Sequence, residues 1–305
     1  GKLSAIGTIG NVLGTFVFGY YLVQNYSNQI ILISSSFLLW GLFCGYMMIL
    51  KKNTNRIYIL PLILLFSMSA FFIKTNKRHV ENEFPQIVNI RNTPFGELKA
   101  IEYQDKIEVY NNNIIQGGFF KSNQKSAHLF SYALSSLALI NSKKINSVFL
   151  MGLGLGLVPS ELRSYGVKTI RSVEINEPFL NLARDLGSLK EKDSDIEIND
   201  GRYSLFKSKE KYDSIIVDAF LVDSSPSHLN TKEFYELIRN KLTQNGIVVL
   251  NSFGFVDPVS MTTKSIFKTL KSVFTQVRVY SINNANVFFV ASNSQLITDR
   301  SKYNI

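Results

Sequence analysis

Two regimes of hydrophobic patterning divide the chain. Residues 3–23, 29–50 and 57–73 are apolar on every face and carry no charged side chain. Runs of about 17 to 25 such residues predict membrane-spanning helices. In the first run Gly7, Gly10, Gly14 and Gly19 include the spacing G-x-x-x-G, which permits close helix contact. After the charged stretch 76–85, which ends at Pro85 and reads as a linker, apolar and polar positions alternate. Phe95 to Glu102, Ile107 to Tyr110 and Ile114 to Gly118 have the period of half-buried strands, with Asn111-Asn112-Asn113 as a turn. Four short runs follow, Val148 to Met151, Thr169 to Val173, Ile196 to Asn199 and Ser214 to Val217, each reading as a strand. Thr231 to Leu242 places Phe234, Leu237, Ile238 and Leu242 on one helical face, then come Gly246 and the strand Ile247 to Leu250. A helix is expected around 260–274, and Gln276 to Tyr280 with Val287 to Val290 predict a hairpin across Asn283-Asn284. The expected domains are therefore 1–75 transmembrane helices, 86–125 a small β-domain, 126–295 an α/β domain, and 296–305 a tail.

The ends of the four strands carry the candidate chemistry. The first runs into Gly152-Leu153-Gly154-Leu155-Gly156, the second ends on Glu174, the third on Asp200-Gly201 and the fourth on Asp218. That ordered set predicts a Rossmann-like nucleotide site on a mostly parallel sheet. Gly152, Gly154 and Gly156 allow a tight turn and close approach of a ligand, while Glu174 is placed to accept ribose hydroxyls. A dinucleotide site would read G-x-G-x-x-G, but the third glycine position is Leu157, which argues against NAD. Asp200-Gly201 suits an adenine amino group. The expected ligand is an adenosine with a sulfonium tail: S-adenosylmethionine or its decarboxylated form, a co-substrate rather than a resident cofactor. Asp213, at the far end of its strand, is expected to be a solvated turn residue.

From Val148 through Asp218 to Leu229-Asn230-Thr231-Lys232-Glu233-Phe234-Tyr235, and upstream through the alternating strands, the chain resembles the spermidine synthase family of aminopropyltransferases. The resemblance covers roughly residues 90–295 and implies a class I methyltransferase-like fold preceded by a small β-domain. It assigns Glu174 to the ribose, Asp200 to the adenine and Asp218 to catalysis, and puts Gln116 near the site. Tyr132, in Phe130-Ser131-Tyr132, matches a segment beside donor and acceptor. Departures fall on the amine side: Leu155 stands where the family usually has an Asp, and Ala133 and Leu134 where Gln and Glu commonly follow the Tyr. Asp223, in the loop after Asp218, offers a second carboxylate. The implied acceptor is a small-molecule amine, with Asp218 as general base. A small-molecule methyltransferase and a non-catalytic adenosyl-ligand sensor remain open. The first residues also resemble a late membrane helix of multi-pass spermidine-synthase-like proteins, so further upstream spans are expected.

Composition adds context. The 46% hydrophobic average over 305 residues conceals the very apolar first quarter, and the net charge of +10 is scattered without an arginine-rich run. Attraction to a membrane surface accounts for that charge, and a nucleic-acid partner is not expected. Cys44, the single cysteine, lies inside an apolar run, so neither a disulfide nor a cysteine-ligated zinc is available. His79, His128 and His228 lack metal-ligand spacing, and no metal site is expected. Lys51, Lys52 and Arg56 follow the second apolar run, while Lys74, Lys77 and Arg78 follow the third, so charge does not orient the membrane part. The adenosyl ligand places the catalytic domain of this multi-pass protein in the cytoplasm, and a homodimer is compatible with the reading.

Overall fold

The computed structural model describes residues 1–26, 28–49, 84–189, 195–220, 226–282 and 286–298. The third apolar run, most of the linker, Asp223, the Asn283-Asn284 turn and the end of the tail lie outside the described residues. The chain divides into two compact units, residues 1–86 with 90–97, and residues 87–89 with 98–305.

In the first unit, α1 (Lys2–Phe16) continues through a π-helical turn at Val17–Leu22 to Val23–Asn25, and α2 (Asn28–Ile49) follows. The stretches Ser4–Leu22 and Ile30–Met47 are long and apolar enough to cross a membrane. Three of their hydroxyls bond back to their own helices: Thr8 donates to the Ser4 carbonyl, Thr15 to that of Asn11 and Ser36 to that of Leu32. These three donors are thereby satisfied within the helix, which lessens the cost of an apolar surround.

The second unit holds two sheets. Strands β1 (Gln86–Thr93) and β2 (Gly96–Glu102) are divided between the units, and β2, β3 (Lys106–Asn111) and β4 (Ile114–Phe120) form an antiparallel meander. The β3–β4 turn is tight because Asn112 and Asn113 both take left-handed φ, 46° and 69°, which asparagine tolerates. Helix α3 (Leu129–Ile140) leads into the large sheet. Its elements are β5 (Ser147–Met151), α4 (Leu157–Ser164), β6 (Thr169–Glu174), α5 (Glu177–Asp185), β7 (Ile196–Ile198), α6 (Gly201–Lys207) and β8 (Tyr212–Val217). Then come α7 (Lys232–Lys241), β9 (Leu242–Phe253), α8 (Met261–Lys271), β10 (Gln276–Ile282) and β11 (Asn286–Ser292).

The large sheet runs β10-β11-β9-β8-β5-β6-β7, parallel from β9 to β7 and closed by the antiparallel β10–β11 pair. This is the α/β fold the strand pattern predicts. Successive residues of a strand face opposite sides of the sheet, so the apolar runs feed two cores. Val148, Leu150, Ile216 and Val249 enter one, and Phe149, Met151, Ile215 and Val248 the other. Helices cap as their sequences allow: Thr231 accepts from the Phe234 N–H and Ser260 from that of Thr263.

One expectation fails here. Asp213 lies within β8, where its Oδ2 accepts the N–H groups of Asn146 (2.9 Å) and Ser147 (3.2 Å), and Thr243 donates to Oδ1 (3.1 Å). It clamps the entry of β5 to β8 and β9. Backbone donors at a strand entrance lack ladder partners, and a carboxylate satisfies two at once.

Candidate functional site

Brought to one edge by the parallel strands are the glycine loop, Glu174, Asp200 and Asp218. In the loop Gly152, Gly154 and Gly156 have φ of 87°, 54° and 75°. Gly152 is irreplaceable on steric grounds, since a Cβ there would lie 2.0 Å from the Asp218 carbonyl oxygen. The Gly152 N–H donates to the Val173 carbonyl and the Asp218 N–H to that of Met151, so the loop is tied to both neighbouring strand ends. Gly201 opens α6 against Met151, whose Cγ would meet an added Cβ at 2.9 Å.

Glu174 is buried, 7% exposed. Its Oε2 accepts the Leu153 and Gly154 N–H groups at 3.1 Å each, and Oε1 that of Asn176 at 2.9 Å. Both oxygens expected at a ribose are thus engaged by backbone, and the side chain holds the glycine loop. Burial pushes its carboxyl up, against the opposing pull of those backbone donors. Asp200 caps α6 by accepting the Tyr203 N–H (2.8 Å) and pairs with His228 Nε2 (3.2 Å). A cavity of about 540 Å³ opens between α6 and α7, lined by Asp200, Tyr203, Phe206 and Glu233 among others. Asp218 and the glycine loop do not line it, so cavity size and strand-end chemistry point to different places. The strand ends carry the argument, because they gather several of the predicted site residues.

Asp218 follows β8 directly. Burial raises its carboxyl to about 6, helped by the nearby Glu174 charge and opposed by a hydrogen bond from Asn251. Asn251 Nδ2 donates to Asp218 Oδ1 at 2.9 Å, and Asn286 Nδ2 donates to Asn251 Oδ1 at 3.2 Å. Phe220 and Phe253 pack beside this edge in a tilted arrangement, with ring centroids 4.8 Å apart and planes at 52°. Neither asparagine figures among the sequence-derived site residues. Asn251 was within reach, since it ends the apolar run Ile247 to Leu250 just as Glu174, Asp200 and Asp218 end theirs. Nothing local marks Asn286.

Of the remaining predicted residues, Gln116 and Tyr132 are described and belong to the same unit. Gln116, on β4, is half-buried and donates to the Ile114 carbonyl at 3.3 Å. Its neighbour Gly117 packs on the loop, where an added Cβ would lie 3.3 Å from Leu155 Cδ1, and Leu155 is itself buried. The Tyr132 hydroxyl donates to the Ser126 carbonyl at 3.1 Å. Burial and the Glu161 charge raise that phenol. Among the described residues no cluster of three or more metal-ligating side chains occurs.

Known proteins resemble the chain in sequence and in fold. A probable polyamine aminopropyl transferase of Bifidobacterium longum is 29% identical over 163 residues, which cover 52% of this chain and 35% of that protein. A polyamine aminopropyltransferase of Bacillus mycoides is 24% identical over 225 residues, 71% of this chain and 80% of its own length. The chain thus spans about a third of the first relative and most of the second. Spermidine synthase from Thermotoga maritima superposes with a TM-score of 0.57 at 19% identity, covering 71% of this chain and 75% of that one, which is a likeness of fold. The profile of the spermine/spermidine synthase domain matches residues 80–296, and the chain belongs to that family.

Proposed function

We propose that this chain is a membrane-anchored polyamine aminopropyltransferase, moving an aminopropyl group from decarboxylated S-adenosylmethionine to a small amine with Asp218 as general base. The observation that carries the reading is Asp218: a carboxyl at the strand end beside the glycine loop, tied through one oxygen and titrating near 6. The names of the sequence relatives support the reaction class.

The chemistry asks little else of the protein. The acceptor nitrogen bonds to the propyl carbon next to sulfur, the carbon–sulfur bond breaks, and its electron pair stays on sulfur as a neutral thioether. The leaving group needs no acid. The attacking nitrogen sheds a proton, which Asp218 accepts. An alkylamine is protonated at neutral pH, with a reference pKa of about 10, so the carboxylate both binds the cation and takes its proton. A carboxyl titrating near 6 is a stronger base than an ordinary aspartate and is still ionised at neutral pH. The glycine loop, held by Glu174, is the platform for the nucleoside, with Gln116 and Tyr132 towards the amine. Ser4–Leu22 and Ile30–Met47 are the anchors, and the catalytic unit faces the cytoplasm, where an adenosyl donor is made.

The test incubates the full chain with putrescine and either donor and reads product mass. An aminopropyl-extended amine made from the decarboxylated donor is expected. Methylated amine from S-adenosylmethionine would instead assign methyl transfer, and donor binding without turnover would make the site a sensor. Asp218→Asn is expected to lower turnover by about 10²- to 10⁴-fold with donor affinity retained. Unchanged turnover would remove Asp218 from the mechanism.

A further inference from the structure

Asp218, Asn251 and Asn286 lie at the end of β8, on β9 and at the start of β11, three neighbouring strands of the sheet. The parallel register pairs Val217 with Leu250, so Asp218 and Asn251 come next to each other. The antiparallel register pairs Asn286 with Phe253, two residues beyond Asn251 and therefore on the same face of the sheet. The hydrogen bonds run one way, from Asn286 Nδ2 to Asn251 Oδ1 (3.2 Å) and from Asn251 Nδ2 to Asp218 Oδ1 (2.9 Å).

The direction has a physical cause. A side-chain amide has one donor end and one acceptor end, exchanged by a half-turn of its terminal torsion. Asn251 is 2% exposed, so water cannot satisfy whichever end is misplaced. With Asn286 donating to its oxygen, the half-turn would set two N–H groups face to face and aim an oxygen at a carboxylate. Asn251 is thereby held with its donor towards Asp218. Among the described residues, Oδ1 of Asp218 is the oxygen so engaged, which leaves Oδ2 for a substrate.

We propose that Asn286 and Asn251 form an amide chain that orients the Asp218 carboxylate, fixing Oδ1 and presenting Oδ2 to the acceptor amine. Both are positioning residues, and Asn286 acts without touching Asp218. The inference rests on the assignment of Asp218 as the base. It gives the C-terminal hairpin a function, because β11 supplies the donor that occupies the acceptor end of Asn251 while the carboxylate takes its N–H. Among the described residues the charged group acting on Asp218 is Glu174, at the end of β6, whose charge works against ionisation. The amide donor is therefore what favours the carboxylate form.

The experiment compares full-length wild type, Asn251→Leu, Asn286→Ala and Asp218→Asn. Turnover is followed with saturating donor, and the Asp218 midpoint by carboxyl carbon NMR against the Asp218→Asn spectrum. Asn251→Leu is expected to lower kcat by about 10- to 100-fold with donor KM nearly unchanged, and to raise the Asp218 midpoint by about one pH unit. Asn286→Ala should move both readouts the same way, with kcat down about 3- to 10-fold. It also serves as the second variant should Asn251→Leu fail to fold. A folded Asn286→Ala protein with wild-type kcat and a wild-type Asp218 midpoint would overturn the amide chain. Failure of the base assignment looks different: there Asp218→Asn itself keeps turnover.

Discussion

Glu108 in the small sheet and Asp218 at the edge of the large one are both carboxylates drawn out of water, with opposite outcomes. Glu108, 5% exposed, accepts from Lys106 Nζ at 2.7 Å and from the Tyr110 hydroxyl at 2.6 Å, with His128 Nε2 3.5 Å away. Burial alone would raise Glu108, but the Lys106 and Tyr110 donors outweigh it and hold the group below its ordinary value. Among the described residues Asp218 has one neutral amide donor and a second carboxylate nearby, and it rises to about 6. Donor number and charge, set against the cost of burial, separate a carboxylate that holds a fold together from one left able to take a proton.

The severest way to break the comparison is to displace the Asp218 edge itself. Gly152→Ala drives a Cβ into the Asp218 carbonyl oxygen in a left-handed backbone conformation. It should destabilise the second unit by roughly 3 kcal/mol or more, read as a lost or much lowered melting transition. Next in size, Glu108→Gln strips the small sheet of a charge-assisted acceptor and should cost about 1–3 kcal/mol at neutral pH, with turnover per folded molecule retained.

A smaller effect, in opposite directions at the two sites, sharpens the contrast most. Glu108 has a lowered folded pKa, so its contribution is present above its unfolded value and fades as pH falls through the folded one. The Glu108→Gln deficit should accordingly shrink on acidification. Asp218 has a raised folded pKa, so its ionisation opposes folding, progressively from the unfolded value near 4 up to about 6. Asp218→Asn should melt higher than wild type at pH 7–8, an advantage that shrinks towards pH 4. Melting curves of the two variants from about pH 8 down to about pH 2 check both signs, since the Glu108 window lies below its unfolded value. If the two shift alike with pH, the distinction between the carboxylates is wrong.

Legibility in the sequence followed locality. The strand runs of the large sheet, the glycine loop and helices α7 and α8 were readable because period and turn residues act over a few positions. The Asn turn after β3 belongs with them, since left-handed backbone is a property of the residue type. Helix α3 escaped the pattern: Ser131, Leu134, Ser135, Leu137, Ala138 and Leu139 are all buried, so no polar stripe marks a face. Strand β1 and the clamp made by Asp213 were likewise unmarked, the latter because its backbone partners lie 66 and 67 residues earlier.

By itself the sequence determined that four strand ends would meet, with glycines and carboxylates at their tips and charge-free apolar helices ahead of them. These depend on side-chain periodicity and backbone freedom, which are properties of short segments. What each tip does was decided by the tertiary structure: Glu174 turned into the glycine loop, Asp200 took up a helix cap and a histidine, and Asp218 received one amide from β9. Sheet order and register choose hydrogen-bond partners, and both come from packing across the whole domain. That is why Asn251 and Asn286, 33 residues or more beyond Asp218 in the chain, become its neighbours only in the folded sheet.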